Sequence, residues 1–99
     1  METRVHIPEM EPPATMSEVM AALRKQKLEP THDKKSWGDW INFTDYSTVI
    51  SIECNRTLTS SATIEHDESD GDDIYQKILA AFAKLGWYGS DEEGDYRLD

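Results

Sequence analysis

A chain of 99 residues in which 37% of the side chains are hydrophobic has room for one core, not for separate cofactor and substrate domains. Twenty acids against ten Lys and Arg leave a formal charge of −10, which disfavours direct nucleic-acid binding, since that needs clustered cations. No run of about 18 apolar residues is present to span a membrane.

The N-terminal residues carry one Arg and no apolar stretch of signal-peptide length, and Cys54 is the only cysteine. A cytoplasmic, reducing location without disulfides is therefore expected. Residues 1–14 hold Pro8, Pro12 and Pro13 and no amphipathic period, so they are expected to form an extended, poorly ordered leader ahead of a single domain over residues 15–99. Thr15 stands three residues before Glu18, the spacing of a capping box, and Met16, Val19, Met20 and Leu23 follow as one apolar stripe. The spacing predicts a helix over 16–28, with Arg24, Lys25 and Lys27 at the negative end of its dipole and Pro30 blocking extension.

A polar connection over 31–36 leads to three runs rich in β-branched and aromatic residues, 37–44, 48–54 and 57–65. Their short connections predict an antiparallel meander. Trp37, Ile41 and Phe43 share a parity that faces the core, which directs Trp40 and Asn42 to the other face. Ile50, Ile52 and Cys54 alternate with Ser51 and Glu53, while Leu58, Ser60, Ala62 and Ile64 alternate with Thr59, Ser61, Thr63 and Glu65. One face should be apolar and the other a wettable surface of hydroxyls. The acidic run 65–73 then gives way to Ile74, Ile78, Phe82 and Leu85, a helical stripe whose N-terminus Ser69 or Asp70 should cap and which Gly86 should end. Trp87 and Tyr88 begin a final hairpin turned at Glu92-Glu93-Gly94. The fold class is thus α+β, a two-layer sandwich with two helices on one face of the meander, in the order α-β-β-β-α followed by a hairpin.

Spacings that carry chemistry are missing. His6, His32, His66 and Cys54 form no zinc pattern, and Cys54 reads as a core side chain at a strand end. Aligning Gly71 with the glycine of a calcium-binding loop puts His66 and Lys77 where the first and last ligands belong, so no metal is expected. No phosphate-cradling loop or nucleophile elbow occurs, and the Asn42 and Asn55 sequons read as ordinary strand and turn residues. Neither a catalytic residue nor a cofactor is expected.

Charge layout is more informative. Residues 65–99 hold 11 acids and three bases, whereas residues 1–64 hold nine acids and seven bases. The leading expectation is a small non-enzymatic protein-binding domain of inhibitor, chaperone or adaptor type. It would present Asp67, Glu68, Asp91, Glu92 and Glu93, with Trp40 as an aromatic anchor, to a basic protein surface. A nucleic-acid mimic is a variant of this reading, and a homodimer is left open. The alternative is a small ligand-binding or enzymatic domain with its site on the hydroxyl-rich face around Trp40, Asn42 and Glu53.

Overall fold

The computed structural model describes residues 2–36 and 38–98. In chain order these form β1 (Glu2–His6), β2 (Ala14–Thr15), α1 (Met16–Lys25), β3 (Pro30–Lys35), β4 (Gly38–Phe43), β5 (Val49–Asn55) and β6 (Leu58–Glu65). A single 3-10 turn (Glu68–Asp70), α2 (Asp72–Lys84), β7 (Tyr88–Asp91) and β8 (Gly94–Arg97) complete the chain. The strands pair antiparallel in the order β3-β4-β5-β6-β1-β7-β8, and the short β2 pairs with the start of β6. Both helices bury their apolar stripes in one core with the inward residues of the sheet, so the fold is a two-layer α+β sandwich. The core-facing position expected of Trp37 lies outside the described residues.

Helix α1 begins as its sequence predicts. The Glu18 amide donates to Thr15 Oγ1 at 3.1 Å, and the Thr15 amide donates to Glu18 Oε1 at 3.4 Å, completing the capping box. It ends earlier than expected, at Lys25, because Lys27 adopts a left-handed φ of 64°. The amides of Lys27 and Leu28 then turn back to the carbonyls of Arg24 and Leu23, and buried Leu28 closes the end. Helix α2 ends on the same motif with its usual residue. Gly86 has φ 83°, its amide and that of Trp87 donate to Ala83 O and Phe82 O, and the Trp87 and Phe82 rings lie 4.8 Å apart.

The expected leader is corrected by β1, which occupies an interior position between β6 and β7. Glu2 pairs with Glu65, Thr3 with Ile64, Val5 with both Ala62 and Gly89, and Arg4 with both Thr63 and Ser90. Thr3 and Val5 are buried while Glu2 and Arg4 are exposed, an alternation that makes the segment a half-buried strand despite the prolines that follow it. Ile7 continues the ladder, donating to Ser60 O, before residues 8–13 loop over to β2.

The polar connection over 31–36 is also largely a strand. β3 buries only Pro30 and is held by backbone pairing to β4 along its whole length. Its free edge carries Lys34 and Lys35, and its exposed His32 donates through Nε2 to Oδ1 of buried Asp39 at 2.7 Å. A proline and lysines are devices that discourage further strands from adding to an edge.

In β6 the expected alternation breaks near its start. The register with β5 shifts between Ile52, opposite Ala62, and Cys54, opposite Thr59. That bulge inverts the parity of the first residues, so Thr59 is buried and Leu58, expected in the core, is 42% exposed. The rest of the stripe holds: Ile74, Ile78 and Phe82 are buried against Ile50, Ile52 and Ile64, with Leu85 half-buried at the rim.

Candidate functional site

Pairing β1 with β6 and β7 determines where the acids go. Glu2 lies opposite Glu65, and Arg4 opposite Ser90, so the β7–β8 turn at Glu92-Glu93 falls at the same end of the sheet as Glu2, Glu65 and the connection to α2. Acids far apart in sequence are thereby gathered at one end: Glu2, Glu65, Asp67 and Glu68, and the hairpin residues Asp91, Glu92 and Glu93. Asp72 and Asp73 open α2 beside them, and of this whole group only Asp73 is in an ion pair among the described residues, with Lys77 at 3.1 Å. Two exposed tyrosines are nearby, one in the loop at this end and one farther along the edge strand, opposite Gly89. Tyr46 sits in the β4–β5 loop, 39% exposed, and Tyr96 on β8, 40% exposed.

The five carboxylates expected to serve a partner divide by role. Asp67 is half-buried, and its carboxylate accepts from the Ser69 amide at 2.9 Å and hydroxyl at 2.7 Å, closing the 3-10 turn. The Ser69 hydroxyl and amide hold its pKa below the usual carboxylate range. Asp91 accepts from the Glu93 amide at 2.8 Å and shapes the hairpin turn. Glu68, Glu92 and Glu93 are exposed and make no side-chain hydrogen bond among the described residues, so their charge is directed to solvent.

Asp70 has a different role from the helix cap expected for it. The N-cap of α2 is Gly71, with φ 75° and no side-chain cap. The Asp70 carboxylate instead accepts from the Ser47 amide at 2.9 Å, the Thr48 amide at 2.6 Å and the Thr48 hydroxyl at 2.6 Å. Thr48 Oγ1 in turn accepts from the Asp67 amide at 3.1 Å. Burial pushes the Asp70 pKa up, but the hydrogen bonds from Thr48 and Ser47 outweigh it and the net shift is downward. This network locks the Tyr46 loop against the acidic turn. Nearby, His66 Nε2 lies 2.8 Å from Gly71 O and its ring 4.9 Å from that of Tyr75, whose hydroxyl is 2.6 Å from Thr3 Oγ1.

Trp40 stands apart from the acids, in mid-strand on the face away from the helices. It is half-buried on the bare face of the sheet, opposite Ser51 on β5, with Asn42 one outward position along and Glu53 exposed near the bulge. The structure therefore separates Trp40 from the carboxylates with which it was grouped. Tyr46 is the aromatic that accompanies the acids, and its signal in the sequence is adjacency to Asp45.

Among the described residues no group of three His, Cys, Asp or Glu is placed to hold a metal ion, and no helix is long and apolar enough to cross a membrane. Comparison with protein-family models, with curated proteins and with solved structures finds no match.

Proposed function

We propose that this protein is a non-enzymatic binding module that docks a basic protein through its acidic end, in the manner of an inhibitor, chaperone or adaptor. The observation that supports it is the convergence of Glu68, Glu92 and Glu93, all exposed and without a cation in contact among the described residues, at the end of the sheet that also carries Tyr46. Exposed like charges at one end repel one another in the folded state and raise a field that steers a cationic partner. A tyrosine at the same end supplies rigid contact area of the kind enriched at binding hot spots. The Asp70 network holds the Tyr46 loop in place before a partner arrives, so less ordering is needed on binding. A nucleic-acid mimic uses the same surface with the carboxylates in the place of phosphates.

The test uses an arginine-rich peptide as probe and the triple variant Glu68→Gln, Glu92→Gln, Glu93→Gln, which leaves the turn-forming Asp67 and Asp91 intact. The peptide should perturb backbone amide resonances of the 66–70 and 91–94 segments, and its on-rate should fall about tenfold in the variant or in high salt. Perturbations scattered over the molecule, or an unchanged rate in the variant, would falsify the reading.

A further inference from the structure

The bare face of the sheet contains a second chemistry, independent of the acidic end. Across four adjacent strands, β5, β6, β1 and β7, the outward residues Ser51, Thr63, Arg4 and Ser90 form one row in register, with Ser61 and His6 paired in the next. The four hydroxyl side chains line a groove of about 460 Å³ together with Arg4 and His6, which rise from β1 between the β6 hydroxyls and Ser90, and with Glu53 at the β5 margin. None of the four hydroxyls hydrogen-bonds to another described residue, and Arg4, exposed and flanked in register by Thr63 and Ser90, has no ion pair among the described residues.

His6 is set differently from Arg4. Its Nδ1 lies 3.0 Å from Ile7 O and its Nε2 lies 2.9 Å from Asp95 Oδ1, reaching across β7. Both neighbours are acceptors, and only the doubly protonated ring donates to both. The ring is thus oriented between two acceptors, and the Ile7 carbonyl and Asp95 together raise its pKa against the effect of burial, while among the described residues Arg4 is the lining cation without an ion pair and Glu53 the lining acid. Trp40 stands at the margin, paired in register with Ser51.

A floor of donor–acceptor hydroxyls suits a ligand that is itself rich in hydroxyls. A free guanidinium suits one anionic group on it, and Glu53 suits a donor at the far side. We propose that this groove binds a polyhydroxylated anion, an acidic sugar or a sugar phosphate, with its carboxylate or phosphate on Arg4 and its hydroxyls on Ser51, Ser61, Thr63 and Ser90. The shared chemistry is one anion beside several hydroxyls, and the two sources are separable by probe.

Titration of the full chain with glucuronate, glucose 6-phosphate, glucose and inorganic phosphate, followed by backbone amide NMR, tests it. Glucuronate, glucose 6-phosphate or both should shift the amides of residues 4–6, 61–63 and 90 in a saturable way, and the sugar that does so identifies the anion. Glucose and inorganic phosphate should each bind at least about tenfold more weakly, and Arg4→Gln or Thr63→Val should weaken the responsive sugar by a similar factor. The spectrum of each variant away from the groove should be unchanged, since both positions face solvent. Failure of both acidic sugars to shift these amides would overturn the proposal, as would inorganic phosphate binding as tightly as they do, or Arg4→Gln binding like the unaltered protein.

Discussion

Truncating Asp70 to Ala removes the acceptor on which two distant segments converge, and its cost can be worked from the partners left behind. Thr48 is fully buried and donates to Asp70 from both its amide and its hydroxyl, whereas Ser47 is exposed and its amide can turn to water. A buried donor left unsatisfied costs about 1–3 kcal/mol, so two of them set an expected loss of about 2–6 kcal/mol for Asp70→Ala. Asp70→Asn keeps one acceptor oxygen and loses the charge, and about half that loss is expected. The pH dependence has a definite sign. The folded-state pKa of Asp70 is depressed, so its stabilisation is complete above the unfolded-state value and is lost as the pH falls through the folded one. Urea denaturation at neutral pH and at steps into acid should show a full gap between the unaltered protein and Asp70→Ala that narrows as the carboxyl protonates. A loss below about 0.5 kcal/mol at neutral pH, within the range of an ordinary surface change, would refute the tie between the β4–β5 loop and the 3-10 turn. A gap that stays constant into acid would refute its electrostatic origin.

Removing residues 1–13 should cost more than about 2 kcal/mol and broaden the unfolding transition, because it deletes buried Thr3 and Val5 and separates the β7–β8 hairpin from the meander; urea denaturation with tryptophan fluorescence checks it. An unchanged midpoint would show that β1 contributes nothing to stability. Lys27→Gly should raise stability by about 0.5–1 kcal/mol, since a left-handed φ of 64° is unfavourable for lysine and open to glycine, and a drop in thermal midpoint would refute that account of the α1 terminus.

The helices and the meander were legible because their periodicities are strong and local. The Thr15–Glu18 cap and the i, i+3, i+4, i+7 stripes of both helices act within a few residues, and the strand runs alternate over most of their length. β1 carried a weaker form of the same signal, Thr3, Val5 and Ile7 against Glu2, Arg4 and His6, which the nearby prolines masked. β3 carried almost none: a strand that buries one residue is specified by its partner's backbone rather than by its own side chains. The bulge that turns Leu58 outward is likewise a property of two strands together. For the acidic site, exposure of Glu68, Glu92 and Glu93 followed from composition, but their meeting at one end depends on the register of β1. Asp70 shows the limit most sharply. Its helix-proximal position suggested a cap, and only the folded chain brings Ser47 and Thr48 across 22 residues or more to use it instead.

The interior position of β1 has a kinetic meaning. The meander pairs neighbours in sequence and can assemble locally, whereas Thr3 must find Ile64 and Val5 must find Gly89 across most of the chain, at the full entropic cost of closing those loops. Until that strand arrives, β6 and β7 both present unpaired edges, and the slot between them fits the corresponding segment of any other copy as well as its own. Refolding at increasing protein concentration should therefore yield strand-exchanged dimers that dilution of the folded protein only slowly reverses, detectable by size-exclusion chromatography. A monomer recovered quantitatively at every concentration would mean that β1 docks before its competitors can reach the slot.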